Sequence, residues 1–318
     1  MPNQLTIRPP AAPLERGRTV AVPIVLSVEQ ALKVRGIHAR FWGAEETQAT
    51  YTTTSTDSKG HTTTHTHTAV EHVNIVEQQS VLAGNEPQGF FRSLGDAVAT
   101  LFGGGAHEVF APGEYPFEID VTVPGGAPPT HTGQKSRVFY ELSARVDVPL
   151  GFDLKASHAF ELAPVIGTEP EVQPVHVRYP DDSGRGLWDS LFAPDVRIEL
   201  ALATDTARHG EVIDGIVVIE SEKPLSVRAL IARCTGVERS RAHGHDDTAQ
   251  YSSQPVDIGN PGLVQGRYSE RFSLPVELAG PPTRQGKLFS IEWFVQVQLD
   301  VPWAKDPRIR APVWLLED

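Results

Sequence analysis

Apolar and polar residues alternate along several stretches of this chain, which is the pattern of β-strands with one buried face. The clearest stretch runs from 138 to 148, where Val, Tyr, Leu, Ala, Val and Val occupy the even positions. A second runs from 291 to 301, with Ile, Trp, Val, Val, Leu and Val at the odd positions. Side chains at every second position point to one face of a strand, and that face packs on a facing sheet. The same pattern predicts further strands at 5–7, 20–28, 32–42, 115–123 and 196–202.

The chain contains an internal repeat. At an offset of 193, residues 17–45 match residues 210–238 at ten of twenty-nine positions. About two matches are expected by chance from average composition. At an offset of 153, residues 113–149 match residues 266–302 at ten of thirty-seven positions. The offsets differ by 193 − 153 = 40, so the first copy carries about that many extra residues within positions 46–112.

Two copies of a strand-rich repeat in 318 residues predict two domains. We expect an all-β chain of two tandem immunoglobulin-like β-sandwiches, the first at 1–168 and the second at 190–318. The first includes an insertion at 47–112. Residues 169–189, which are rich in proline and acidic residues near their start, are predicted to form a linker with a short extended piece at 175–178.

The insertion begins with a predicted hairpin, in which 50–56 and 61–68 are threonine-rich strands joined by a turn at 57–60. His61, His65 and His67 share one face of the second strand. They suggest a surface zinc or nickel site, but a solvated polar hairpin is the favoured interpretation. The matched hairpin tip at 241–247 also clusters His and Asp around a glycine, which offers a metal little rigidity. No metal site and no cofactor are therefore predicted.

The rest of the insertion predicts one short amphipathic helix at 87–102, because apolar residues recur at spacings of three and four and three glycines follow. One interpretation packs this helix on the first sandwich. The other makes it a detachable element that docks a partner groove or touches a membrane surface. The candidate partner-binding residues are Phe90, Phe91, Leu94, Val98, Leu101 and Phe102.

Charge and cysteine content narrow the function. A net charge of −12 argues against a nucleic-acid partner, since phosphate binding needs clustered Lys and Arg. No apolar run approaches the roughly 20 residues of a membrane span, and the start of the chain does not resemble a secretory signal. Cys234 is the single cysteine and alternates with apolar residues, so we expect a buried thiol, no internal disulfide and a cytoplasmic protein.

Charged residues recur at matched positions of the two copies. They are Arg35 and Arg228, Arg40 and Arg233, and Glu45 and Glu238. One interpretation is an ion pair that fixes a sheet edge, and the other is a charge latch between the domains. The ion pair is favoured, because the repeat by itself explains the recurrence.

The run Gly113 to Phe117, a strand ending at Pro124, Pro128-Pro129 and the strand at 138–148 together resemble the amino-terminal domain of the arrestin family. Strands at 210–218 and 225–234, closing on 236–238, and a last strand ending at Val301-Pro302 resemble its carboxy-terminal domain. The bacterial sporulation-control proteins, the arrestin-like retromer subunits and the α-arrestins are the relatives it resembles. The chain departs from α-arrestins in lacking the PPxY sequence, since Thr130-His131 follows the two prolines.

The resemblance implies a chain that binds proteins and has no catalytic centre, and no catalytic motif occurs in the sequence. The first hypothesis is therefore a non-enzymatic adaptor or scaffold with a protein partner, in which an exposed sheet edge or a concave face binds the partner. The second is a self-assembling structural protein that pairs through edge strands. A third, a metal-dependent enzyme, rests only on scattered His and acidic residues.

Overall fold

The computed structural model describes residues 2–10, 13–84, 108–163, 172–179, 195–277 and 280–316. Every regular element in these ranges is a β-strand, which confirms the all-β prediction. The predicted helix at 87–102 and its six candidate partner-binding residues fall outside the described residues. The chain divides into two compact units, one of residues 1–46, 72–131 and 137–164, the other of residues 47–71, 132–136 and 165–318.

Two sheets and a short strand pair are built from the first half of the chain. A three-stranded sheet has the order β1-β2-β7, a five-stranded sheet has the order β10-β9-β4-β5 with β8 beside β9, and β3 pairs with β6. The second part of β4 and the first part of β5, which lie within residues 47–71, belong to the second unit. The strands are β1 (Gln4–Ile7), β2 (Thr19–Val28), β3 (Leu32–Val34), β4 (Gly36–Thr56), β5 (Thr62–Gly84), β6 (Glu108–Phe110), β7 (Gly113–Thr122), β8 (His131–Thr132), β9 (Ser136–Asp147) and β10 (Leu154–Phe160).

The second half forms a four-stranded sheet, β11-β12-β14-β18, and a seven-stranded sheet. The larger sheet has the order β13-β21-β20-β15-β16, with β17 beside β15 and β19 beside β20. The strands are β11 (Val175–Tyr179), β12 (Arg197–Leu202), β13 (Thr206–Ala207), β14 (Val212–Val227), β15 (Ala229–Ala242), β16 (His245–Ser252), β17 (Val256–Gly259), β18 (Gly262–Pro275), β19 (Arg284–Gln285), β20 (Phe289–Asp300) and β21 (Arg308–Leu315).

The two long alternating stretches are β9 and β20, and in both every apolar residue of the pattern that lies in the strand is buried. The extended piece predicted at 175–178 is β11, which pairs with β12 as an edge strand of the four-stranded sheet. Cys234 on β15 is fully buried, and burial raises the pKa of its thiol to about 11. A thiol in such surroundings is not a nucleophile at neutral pH.

The predicted single strands at 32–42 and 225–234 are each two strands. β3 gives way to β4 at Arg35, and β14 gives way to β15 at Arg228, so the chain passes from one sheet to another at matched positions. The buried apolar residues shift phase at each corner, from even to odd positions after Val34 and from odd to even positions after Val227, which is also the pattern of a β-bulge within one strand. At each corner the arginine N–H donates to the carbonyl of an aspartate, Asp147 or Asp300.

The side chains of the same residues form the ion pairs that the sequence favoured. Arg35 Nη2 lies 2.6 Å from Asp147 Oδ1, and Arg228 Nη2 lies 2.6 Å from Asp300 Oδ1. Arg40 pairs with Glu77, whereas Arg233 donates to the Gln298 amide oxygen. Each of these contacts lies within one unit. The recurring arginines Arg35 and Arg228 therefore fix the corners of their own sheets.

A large aromatic residue covers a glycine in both copies. The Tyr140 ring lies over Gly43 so closely that a Cβ atom has no room there, and a Cβ on Gly236 would meet the Trp293 indole at 2.9 Å. The polar atom of each ring donates to a matched proline carbonyl, Tyr140 Oη to Pro128 at 2.6 Å and Trp293 Nε1 to Pro281 at 2.9 Å. The repeat thus preserves a packing unit as well as a strand order.

Candidate functional site

The hairpin formed by the end of β4 and the start of β5 is the candidate functional site, and residues 52–68 of it are here called the ribbon. The predicted turn at 57–60 is confirmed, since β4 ends at Thr56, β5 begins at Thr62 and Gly60 has a φ of 85°. The Asp57 carboxylate accepts hydrogen bonds from the N–H groups of Lys59 and His61. These hydrogen bonds lower the pKa of Asp57, and the one from the His61 N–H has the largest effect.

The two strands of the ribbon have an all-threonine face. Asp57 N–H donates to the His61 carbonyl, and the Tyr51 and His67 rings lie 5.2 Å apart, which together set the register. Residue 56 then lies opposite 62, 54 opposite 64 and 52 opposite 66. One face consists of Thr50, Thr52, Thr54, Thr56, Thr62, Thr64, Thr66 and Thr68, and the other carries Tyr51, Thr53, Ser55, Thr63, His65 and His67.

The ribbon is exposed on both faces along its whole length. β5 is an edge strand of its sheet. Because the pair Asp57 and His61 is hydrogen-bonded, the ladder alternates so that the even-numbered residues point their N–H and C=O groups away from the partner strand. Between Thr62 and Thr68 this edge has no charged side chain and no proline, which are the usual protections against pairing with another strand.

The base of the ribbon is anchored within the second unit by hydrogen bonds to the β15–β16 hairpin. Thr47 Oγ1 donates to the Arg241 carbonyl at 2.7 Å, and Ser240 Oγ donates to the Gln48 carbonyl at 2.8 Å. The Thr50 N–H donates to Asp247 Oδ2 at 2.8 Å. A two-stranded hairpin is marginally stable alone in water, so this anchor holds the exposed part in place.

Aromatic and histidine side chains extend the anchor. The Tyr51 and His245 rings are parallel, with centroids 3.8 Å apart. His243 has a φ of 50° at the tip of the second hairpin, where its N–H donates to Glu71 Oε2. Its imidazole Nε2 lies 3.0 Å from the Val70 carbonyl. The His-rich tip at 241–247 is therefore part of a packing contact with residues 47–71.

A buried carboxylate lies beneath the anchor. Glu238 on β15 is fully buried and accepts hydrogen bonds from the backbone N–H groups of Gln134 and Lys135, at 2.9 and 3.0 Å. Ser136 Oγ donates to it at 2.6 Å, and Tyr251 Oη is a fourth donor. Burial, and then the hydrogen bond to Glu238, raise the pKa of Tyr251 far above its usual range. Four donors satisfy the charge, as a buried carboxylate requires.

Glycine is required next to this carboxylate. A Cβ atom on Gly133 would lie 2.5 Å from Glu238 Oε1. The turn at 133–136 thus presents two N–H groups and a hydroxyl to Glu238 only because its first residue has no side chain. Sequence reasoning noted that Glu45 and Glu238 recur, but it missed this cluster because three of the four donors lie about a hundred positions away along the chain.

Asp247 makes the anchor sensitive to acid. Burial alone would raise its pKa, but hydrogen bonds from Lys135 Nζ and the N–H groups of Thr50 and Thr248, with the Lys135 charge, lower it from 3.8 to about 2. A pKa that folding lowers stabilises the folded state above the unfolded value, so this contribution is lost as the pH falls from about 4 to about 2. We expect it to be roughly 1–2 kcal/mol after solvent screening.

The variant Asp247→Asn tests this expectation in urea unfolding between neutral and acidic pH. Near neutral pH the wild-type chain should be the more stable, and the two free energies of unfolding should approach each other as the pH falls towards and below about 2, where Asp247 becomes protonated in the folded state as well. An unchanged gap between the two curves across that range would contradict the assignment.

The described residues place no three His, Cys, Asp or Glu side chains where they hold a metal ion together. Within the same ranges, no helix has the length and apolar character to cross a membrane.

A model of the arrestin family, described as "Arrestin (or S-antigen), N-terminal domain", matches residues 9–168. The chain belongs to the arrestin family. The matched residues contain β2 to β10 and the whole ribbon. A search of curated proteins found no significant match.

Arrestin-type domains bind protein partners, and the family is generally one of non-enzymatic adaptors and scaffolds. The ribbon fits that character, because it presents backbone and hydroxyl groups without a buried cleft. Among the described residues the ribbon offers an exposed strand edge whose unpaired backbone groups can form hydrogen bonds.

Proposed function

We propose that this arrestin-family chain is an adaptor that presents the β5 edge of the ribbon to a protein partner, which adds a strand to it. The observation that carries the proposal is the contrast along one hairpin. Its base, from Thr47 to Tyr51, is held by three hydrogen bonds and a ring stack, whereas residues 52–68 are exposed on both faces. Strand addition uses the unpaired backbone groups for affinity and alternate side chains for specificity.

The ribbon also supplies side chains for specificity. A strand added to β5 would lie beside the threonine face on one side of the sheet and beside His65 and His67 on the other. Uncharged hydroxyl groups favour a partner segment that is itself polar and extended. We propose the apolar segment 87–102 as a second contact, because its six candidate residues supply the apolar surface that the ribbon lacks.

The cellular setting is part of the same proposal. One buried cysteine fits a reducing cytoplasm, and the resemblance to bacterial sporulation-control proteins supports a regulatory role in a bacterial cell.

The experiment is an affinity capture from native lysate in the presence of a metal chelator, with a shortened ribbon as the comparison. Replacing residues 52–66 by Asn-Gly joins Tyr51 to His67, which are a hydrogen-bonded pair, through a two-residue turn in register. The full chain should retain a partner that the shortened chain loses. Retention of the same proteins by both chains would contradict the proposal.

A matched pair of proline variants identifies the edge. Thr64→Pro removes an outward N–H from β5 without breaking the ladder, and Thr54→Pro does the same on β4 directly opposite. Capture should fall with Thr64→Pro and persist with Thr54→Pro. Equal loss in both variants would place the contact elsewhere on the ribbon.

The alternative is a structural protein that assembles through the same edge strand. The unprotected β5 edge favours it, since such an edge pairs equally well with another copy. Light scattering of the chain in chelator over a range of concentrations separates the two. A monomer that captures a partner supports the adaptor, and a mass that rises with concentration supports self-assembly.

A further inference from the structure

We propose that His65 and His67 are one half of a transition-metal site and that a second copy of this chain supplies the other half. The proposal is independent of the adaptor function, although both involve the ribbon. The ligand is a divalent ion of the zinc class, because neutral imidazoles bind Zn²⁺, Cu²⁺ and Ni²⁺.

The two imidazoles are placed for a shared ion. His65 and His67 are two residues apart on β5, so they lie on the same face, and both are exposed. Their ring centroids are 6.4 Å apart. Two imidazoles on one tetrahedral zinc ion, with Zn–N bonds of about 2.0 Å, have centroids roughly 5 Å apart. Side-chain rotation alone closes this difference, because nothing on that face buries either ring.

His67 is already oriented as metal ligands are. Its Nε2 atom lies 2.8 Å from Thr53 Oγ1 on the neighbouring strand, and the Tyr51 ring lies beside it at an interplanar angle of 26°. Ligating histidines usually direct their second ring nitrogen to such an oxygen, which fixes the ring plane and the tautomer. In the tautomer whose Nε2–H donates to Thr53 Oγ1, Nδ1 of His67 carries the lone pair that binds the ion.

The other histidines near the ribbon are engaged elsewhere. His61 Nδ1 lies 3.1 Å from Asp57 Oδ2 at the turn, and His245 stacks on Tyr51. His72 Nδ1 lies 3.4 Å from Glu46 in the first unit. One copy thus offers two imidazoles, in agreement with the finding that no three ligand side chains converge among the described residues. Zinc sites take four ligands, so a two-ligand half-site is incomplete by itself.

A twofold axis that relates two copies of the chain completes the set of four ligands. The even-numbered residues of β5 direct their backbone groups outward, so two β5 edges can pair antiparallel about an axis through Thr66. Residue 65 of each copy then lies opposite residue 67 of the other. Residues directly opposite in such a pair have Cβ atoms about 4.5–5.5 Å apart. Four imidazoles therefore meet on one face, where a single ion joins the two chains.

The test measures mass by light scattering, and metal stoichiometry by titration calorimetry, with zinc sulfate or chelator added. Zinc should double the mass with one ion per two chains, and chelator should reverse it. His65→Ala and His67→Ala should each abolish the change, whereas His61→Ala, at the turn just before β5, should leave it intact. Thr53→Val should weaken zinc binding about tenfold while the ring remains, as loss of an outer-shell partner does.

Three results would overturn the proposal: a mass unchanged by zinc, one zinc per chain without dimer formation, or a zinc dimer that persists in His65→Ala. Circular dichroism of each variant confirms that it is folded, and the exposed positions make unfolding unexpected. The adaptor proposal is tested in chelator, so failure of either proposal leaves the other standing.

Discussion

Replacing Glu238 by alanine is expected to lower the free energy of unfolding by about 3–5 kcal/mol. The substitution removes the carboxylate that accepts from Gln134, Lys135, Ser136 and Tyr251, and it leaves these donors without an acceptor in a site that excludes water. Urea unfolding followed by fluorescence and circular dichroism measures the loss. The same change should also loosen the anchor of the ribbon, because Lys135 carries the ammonium that binds Asp247.

Two matched variants make the result specific. Glu238→Gln keeps the shape of the side chain and one acceptor oxygen. It should therefore lower the free energy of unfolding by less than Glu238→Ala does. Glu292→Ala removes an exposed acid that pairs with Arg239 in the same unit, and it should change stability by less than about 1 kcal/mol. If Glu238→Ala were no more destabilising than Glu292→Ala, the buried carboxylate would not stabilise the turn at 133–136.

Trp293→Ala and Tyr140→Ala are each expected to cost about 3–5 kcal/mol, the usual loss for truncating a large buried aromatic side chain. Each ring fills the space above a glycine, so alanine leaves a void that the neighbouring backbone does not fill. Tyr140→Phe keeps the ring and removes only the hydrogen bond to the proline carbonyl, a loss of about 1–2 kcal/mol. Trp293→Phe also removes part of the buried indole, so its loss should be larger, although still below that of Trp293→Ala.

Comparing the variants at 140 with those at 293 tests whether the two copies use this packing unit in the same way. If the aromatic residue, the glycine and the proline carbonyl form the same unit twice, the alanine and phenylalanine variants should rank identically at 140 and 293 in thermal unfolding. A large effect at one position and none at the other would show that the repeat preserves the residues without preserving their role.

Much of the fold follows from the sequence, because alternating apolar residues report directly on a strand with one buried face. β9 and β20 illustrate this, and the internal repeat locates the insertion within positions 46–112. The corners at Arg35 and Arg228 were missed, because the phase shift of the apolar residues there is also the pattern of a β-bulge within one strand. The partners of Glu238 were missed for another reason, because two of them are backbone N–H groups, which leave no trace in residue identity, and three of the four lie about a hundred positions away.

The ribbon was predicted more completely than its anchor. Threonine propensity and the Asp-Ser-Lys-Gly turn identified both strands and the tip. The anchor depends on contacts of residues 47–51 with Ser240, Arg241, Asp247 and His245, which lie about two hundred positions away. The matched hairpin tip at 241–247 was recognised in the sequence, but as a weak metal candidate. Its structural role is to pack against the base of the ribbon.

Amide hydrogen exchange along β5, measured in chelator for the isolated chain and for its complex with the captured partner, shows whether the partner binds the β5 edge. The amides of Thr62, Thr64, Thr66 and Thr68 should exchange freely in the isolated chain and become protected in the complex. Protection of these amides before the partner is added, or exchange that the partner leaves unchanged, would contradict the claim that the β5 edge is the binding surface.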